Sequence, residues 1–228
     1  LKDGTIQGVI GSGAMGLENG AFEKACFNNP QGMAYDPDAD ALYIADTDNH
    51  AIRKADLRKR TVETLAGTGE QSRAYPPRPG KGRQTALNSP WDLVLIGDTL
   101  YIAMAGSHQL WRLNLNTLQA EPHAGTGREA CIDGRLSSCA LAQPSGMTTD
   151  GKKLYFADSE VSCIRAADLD PNGELETLVG GDLFEFGDRD GFGREARLQH
   201  PLGVVYVDGA LYVADTYNNK IKRLDLRT

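Results

Sequence analysis

The chain has 228 residues, 40% of them apolar, with 24 Lys and Arg against 31 Asp and Glu and a formal net charge of −7. That length suits one large core or one array of small units, and no stretch has the composition of a linker between two domains. The acidic balance opposes polyanions, so nucleic acid is not an expected partner; with no signal peptide and no apolar run near the roughly 20 residues of a membrane span, a soluble, cytoplasmic chain is expected, without membrane contact.

In chain order, TIQGVIGSG (5–13) reads as an outermost strand ending in glycine, because Gly11 stands 56 residues before Gly67. A unit then begins at Pro30 as PQGMAYDPDADALYIADTDNHAIRKADL. It returns at Pro90 as PWDLVLIGDTLYIAMAGSHQLWRLNL, at Pro144 as PSGMTTDGKKLYFADSEVSCIRAADL and at Pro201 as PLGVVYVDGALYVADTYNNKIKRLDL. The strand tyrosines Tyr43, Tyr101, Tyr155 and Tyr212 are spaced by 58, 54 and 57 residues. A fixed period of this size marks an array of supersecondary units, none able to bury its apolar face alone.

Each unit reads as strand a, hairpin, strand b, turn, strand c. The hairpins are DPDAD (36–40), GD (97–98), DGK (150–152) and DG (208–209), where Gly and Asp tolerate tight turns. A fourth strand, d, follows in VETLAGTGE, AEPHAGTGR and ETLVGGD. Four antiparallel strands repeated radially predict an all-β propeller. The expected divisions are 1–13 as the outer strand of a preceding blade, blades over 14–68, 69–126 and 127–181, and 182–228 as a blade lacking its own outer strand. Residues 5–10 either complete the sheet begun at Pro201, giving four closed blades, or belong to a longer ring from which these four blades are an excerpt.

Residues that repeat argue for structure. Asp46, Asp158 and Asp215 end strand b in three units, and are expected to cap the following turn by accepting its backbone N–H groups. His50 and His108 hold equivalent turn positions, His123 lies in a strand and His200 precedes a proline, so no histidine set has the convergence a metal needs. The stretch 181–193, GDLFEFGDRDGFG, lacks the ligand spacing of a calcium loop, and Phe184, Phe186 and Phe192 are expected to pack the loop or contact a partner. No nucleophile motif is present, and no cofactor is expected. Cys26, Cys131, Cys139 and Cys163 have no zinc spacing; they read as core or strand thiols, with a Cys131–Cys139 pair as the alternative. The basic, Pro/Gly-rich stretch 71–83 reads as a mobile loop or as a docking segment for an acidic partner.

Blade two departs from the pattern. Where the others have Gly32, Gly146 and Gly203 it has Asp92, preceded by Trp91, and where they have Asp it has Met104. The strand order places Trp91, Asp92, Met104 and His108 at one pole, with loop 70–88 above them. Aromatic and Met side chains at a loop face are anchors for a protein or peptide partner; the other reading is that Trp91 and Met104 repack a local gap.

The motif L-Y-[IV]-A-D-T-x-N-[HN]-x-I-[RK], preceded by P-x-G and followed by A-G-T-G, resembles the NHL repeat. SPWDLV, LYIAMAGSHQLW, LAQPSGM, FADSEVSCIR, LVGGDLFEFGDRDG and LQHPLGV further resemble the propeller of thioredoxin-like NHL-repeat proteins, over essentially the whole chain. In that family a thioredoxin-fold domain precedes a six-bladed propeller. The resemblance implies that these are blades two to five of six, and that a thioredoxin-like domain accompanies them in the full-length protein.

Two functions follow as expectations. The first is a non-catalytic scaffold that docks a protein, a peptide, or a substrate for a thioredoxin-like domain in the same chain, so this segment is not expected to be an enzyme. The alternative is a propeller lactonase or lyase with a metal in its central channel. That chemistry needs convergent polar ligands on the inner strands, whose centres are Met33, Ala34, Leu93, Val94, Met147, Thr148, Val204 and Val205.

Overall fold

Strand b of each repeat carries Leu, Tyr and Ile or Val between small residues, and so seeks cover on both faces and partners on both edges. The computed structural model, which describes residue 6 and residues 8–226, supplies both. The first sheet contains β1 (Gly20–Ala21), β2 (Pro30–Asp36), β3 (Ala41–Asp46), β4 (Ala51–Asp56) and β5 (Thr61–Ala66). The second contains β6 (Gly80–Lys81), β7 (Pro90–Ile96), β8 (Thr99–Met104), β9 (Gln109–Asn114) and β10 (Gln119–Ala124). The third contains β11 (Gly134–Arg135), β12 (Pro144–Thr149), β13 (Lys153–Asp158), β14 (Cys163–Asp168) and β15 (Glu174–Gly180). The fourth contains β16 (Gly203–Val207), β17 (Ala210–Asp215) and β18 (Lys220–Asp225). All pairs are antiparallel, with strand a at one edge and strand d toward the other, as a propeller blade requires.

The blades carry one feature beyond the four expected strands. The loop leading into each of the first three blades runs along the outer edge of strand d and adds two residues of ladder, as in Gly20 opposite Val62 and Gly134 opposite Leu175. This short cover shields an otherwise open edge. The fourth sheet has three strands among the described residues, and β18 forms its edge.

The expected strand over residues 5–10 falls partly on residues outside the described set, and residues 8–10 carry no strand. Gly11 and Ser12 do repeat the placing of their counterparts. The Gly11 N–H donates to Phe22 O and that of Ser12 to Ala25 O, as those of Gly125 and Thr126 donate to Leu136 O and Cys139 O.

The core lies between blades rather than within them. Tyr43, Ile52 and Leu65 of the first blade meet Leu93, Leu100, Ile102 and Trp111 of the second. Val94, Tyr101 and Leu110 meet Leu141, Met147 and Phe156, and Tyr155, Ile164 and Val179 meet Leu198, Leu211 and Val213. The inner strands pack in series, β2 on β7, β7 on β12 and β12 on β16, while β16 does not pack along β2. The arc therefore ends in two uncovered faces, exposing Met33 and Tyr35 on one and Val205, Val207 and Ile221 on the other. No helix of the described residues is long and apolar enough to cross a membrane.

A propeller arc with bare end faces should bury them by association. The isolated chain is expected to self-associate with rising concentration in sedimentation velocity, and to melt broadly. A strictly monomeric species with one sharp transition would instead indicate that the four blades close on themselves.

Candidate interaction surface at the axial pole

The three repeating carboxylates are buried anchors, and their partners differ from those expected. Asp46 Oδ1 accepts the N–H of Asn28 at 2.7 Å, Asp158 Oδ1 that of Ala142 at 2.8 Å, and Asp215 Oδ1 that of Gln199 at 2.7 Å. Each donor lies two residues before the blade proline, in the lead-in loop, so the carboxylate does not cap the backbone of the turn after strand b. That turn contributes a side chain instead: Asn49 Nδ2 donates to Asp46 and Asn218 Nδ2 to Asp215, each at 2.8 Å.

The second carboxylate oxygen meets a cation from the third residue of strand c. Arg53 Nη1 lies 2.6 Å from Asp46, Arg165 Nη1 2.8 Å from Asp158 and Lys222 Nζ 3.6 Å from Asp215. The Asp46–Arg53 and Asp158–Arg165 side chains are fully buried. The same cations reach the lead-in loop: Arg53 donates to Cys26 O, Arg165 to Ala140 O and Lys222 to Arg197 O, four residues before each proline. One buried ion pair thus grips its loop from both sides.

In blade two Met104 and Trp111 fill these two positions, both fully buried. Met104 Sδ faces the N–H of Asn88 at 3.4 Å, and Trp111 Nε1 donates to Gln109 Oε1 at 3.0 Å. Met104 is therefore not a surface anchor: it belongs to the core between blades one and two. It resides there because the cation it would otherwise face has become an indole.

His108 is half-buried in the left-handed C-cap position after Ala105–Ser107, with φ 52°, and its Nδ1 accepts the N–H of Gln143 at 3.0 Å. His50 does the same for Ser89 at 3.0 Å, and Ser162 Oγ for His200 at 3.2 Å. The turn position thus fastens each blade to the loop of the next. Burial holds His50 below the ordinary imidazole range, against the opposing charge of Asp48.

Trp91 and Asp92 remain at the pole. They line a shallow cavity of about 250 Å³ with Gln31, Gly32, Gly146, Leu202, Gly203 and Val204, where the starts of the four inner strands converge. Asp92 Oδ1 accepts the N–H of Leu93 and Oδ2 that of Met147 in blade three, both at 2.8 Å. Burial raises its carboxyl above the usual range, and these two N–H groups counter that. A Cβ on Gly32 would lie 2.0 Å from Asp92 Oδ1, so the aspartate depends on glycine in the preceding blade. Half-buried Trp91 rests against the core between blades two and three.

The other expected residues stand apart from this cavity. Phe184 and Phe186 are 90% and 55% exposed and are absent from its lining, so they share no site with Trp91. In the same segment Asp188 pairs with Lys220 and Lys222, and Asp190 with Lys222, so these carboxylates face ammonium groups. Loop 70–88 is tied down by Ser72 N–H to Leu87 O and by Gln71 Nε2 to Asn88 Oδ1, while Tyr75 meets the His108 ring edge-on at 6.3 Å. Cys131 lies beside Cys163, with Sγ atoms 3.9 Å apart, whereas Cys139 Sγ donates to Leu136 O. The sequence reading missed Arg53, Arg165 and Trp111. The signal was available, because the residue ending strand b and the third residue of strand c change together among the four repeats.

A family model for the NHL repeat matches residues 27–55 and 198–224. The chain is 45% identical over 226 residues to Protein SUPPRESSOR OF QUENCHING 1, chloroplastic, of Arabidopsis thaliana, covering 94% of this chain and 21% of that protein. It is 40% identical over 258 residues to NHL repeat-containing protein 2 of Homo sapiens, covering 100% of this chain and 35% of that protein. The chain therefore spans about a third or less of these relatives. Among solved structures it is similar to a streptogramin B lyase, with TM-score 0.57 and 12% identity over 87% of this chain and 52% of that one. It is also similar to an auxiliary nutrient binding protein from Bacteroides thetaiotaomicron, with TM-score 0.54 and 18% identity over 95% of this chain and 74% of that one. At these identities the two structures show a shared propeller fold alone.

The His50 clamp has a pH signature. A folded-state pKa below the unfolded value means the unfolded chain binds the proton more readily. The clamp's contribution is then present above the ordinary imidazole value of about 6.5 and lost as pH falls below it. Urea melts at pH 7.5 and 5 should show a smaller acid loss of stability for His50→Asn than for the wild type. Equal losses would show that the imidazole does not act as the acceptor.

Proposed function

The chain is an NHL-repeat β-propeller, and from that premise we propose that it acts as a non-catalytic docking scaffold whose axial pole receives a protein or peptide. In the full-length protein the partner is a thioredoxin-like domain or the substrate that domain works on. The observation that carries this reading is the state of the polar groups at the pole. The carboxylate of Asp92 is engaged at both oxygens by backbone N–H groups, and His50 and His108 commit Nδ1 to neighbouring loops. What the cavity presents is a half-buried indole rimmed by glycine backbone, the composition of a contact surface rather than of an acid–base site.

A propeller enzyme with a channel metal would need several ligands converging on the axis. Among the described residues no group of three or more His, Cys, Asp or Glu is so placed, and Asp92 is the one ionisable side chain lining the cavity. The chain accounts for 21% and 35% of the two relatives named above, which leaves room for a partner domain in the same polypeptide. One relative is named as chloroplastic, so a plastid stands beside the cytoplasm as a compartment to test.

Trp91 decides between docking and packing. Calorimetry with a thioredoxin-fold domain supplied in trans should give an affinity that Trp91→Ala weakens by about 2 kcal/mol or more, roughly thirtyfold, with a modest fall in Tm. If the wild-type chain does not bind, or Trp91→Ala loses stability but binds unchanged, the pole is not the docking surface.

A further inference from the structure

Cys131 and Cys163 are 32 residues apart in sequence, yet their Sγ atoms lie 3.9 Å from each other. Cys163 is the fully buried first residue of β14, whereas Cys131 is half-buried on the loop leading into blade three. Both thiols are free. The same two repeat positions in blade four hold Asp188 and Lys220, joined as an ion pair. Each loop residue stands three before the lead-in glycine, Gly134 or Gly191, and each partner opens strand c. The fold thus brings these positions face to face: blade four clamps them by charge, and blade three places two thiols there. To form a disulfide bond the two sulfurs must close from 3.9 Å to roughly 2.05 Å.

We propose that Cys131 and Cys163 form a reversible dithiol–disulfide couple that locks the lead-in loop of blade three onto β14. This inference is independent of the docking reading, since the pair lies outside the axial cavity.

The two thiols are suited to different steps. Cys131 is the accessible nucleophile. Its thiol is lowered to about 6, first by the hydrogen bond with Cys163, then by the Arg165 guanidinium and the Thr177 hydroxyl, against burial and the charge of Asp158. Arg194 also faces it, and Asp133, paired with Arg165 and Arg194, completes the charged groups around the site. Cys163, buried beside a thiolate, keeps its proton and is pushed up.

The oxidant is a low-molecular-weight disulfide such as glutathione disulfide. The Cys131 thiolate attacks one of its sulfurs, forming a mixed disulfide and releasing one thiolate. Cys163 then attacks Cys131 Sγ and breaks the mixed disulfide, its proton passing to the departing glutathione sulfur, so that two electrons pass from the cysteines to the glutathione disulfide. A reduced dithiol restores both thiols by exchange through a mixed disulfide, itself becoming a disulfide.

The oxidised state would cross-link the segment that Arg165 already holds through Ala140 O, Ile132 O and Asp133. The test is incubation of the folded chain with glutathione disulfide, acid quench, alkylation and a non-reducing peptide map. The wild type should yield a Cys131–Cys163 linked peptide. Cys163→Ala, which places there the residue blade one has at Ala51, should stop at a Cys131–glutathione adduct. At pH 7 iodoacetamide should modify Cys131 at least tenfold faster than Cys139. A wild-type chain of native circular dichroism that stops at the Cys131 adduct, or whose Cys131 does not react, would overturn the proposal.

Discussion

The arc depends on how each blade grips the loop that leads into it. A carboxylate at the end of strand b and a cation on strand c, shut away from water, divide the work: one takes a loop N–H two residues before the blade proline, the other a loop carbonyl four residues before it. Burying two charges is costly, and their attraction offsets that cost only when every remaining donor and acceptor is used. Here the loop backbone supplies partners for the carboxylates and for both Nη groups of each arginine, while the Nε atoms of Arg53 and Arg165 are buried without one. The pair thus acts less as a store of stability than as a device fixing where the loop lies, and with it the outer edge of the blade and the start of the inner strand.

Blade two shows what happens when the device is exchanged for an apolar one. Met104 and Trp111 occupy the same two repeat positions, both fully buried, and replacing a buried ion pair by well-packed hydrophobic groups is often neutral or stabilising. The indole N–H and the loop N–H are still served, by Gln109 and by the thioether. The exchange extends along the turn. Thr47 and Ser159 donate to the carbonyls of Pro90 and Pro201, but blade two has Ala105 in that position. Blade two instead reaches its neighbour through Asp92, which takes the N–H of Met147. The Asp92–Trp91 pole is therefore part of a blade that joins the next one differently from blades one and three. That difference leaves an aromatic side chain at the axis.

Much of this was legible in the sequence, because the features that specify a blade are local. Leu-Tyr strands, Asp and Gly hairpins and the recurring prolines sit within one repeat, and their spacing gave the strand order and the pole. The missed features are contacts between segments. Asp46 reads as a turn cap when its neighbours alone are considered, yet its backbone donor is Asn28, 18 residues earlier. Met104 reads either as a surface anchor or as the repacking of a local gap, and its burial follows only once Trp111 is seen across the ladder. The cysteines read as core or strand thiols, and their spacing offers Cys139 as the alternative partner of Cys131, while the fold sets Cys131 beside Cys163.

The central claim is that positions 104 and 111 are one unit, interchangeable with the Asp–Arg pair of the neighbouring blades. A double-mutant cycle with Met104→Asp and Trp111→Arg, read as unfolding free energy in urea, tests it most directly. Each single substitution should cost about 3–5 kcal/mol, since it buries a charge without its partner. The double substitution should cost less than the sum of the two by a coupling of about 3 kcal/mol, at the upper end of values for residues in contact. Losses that simply add would contradict the account.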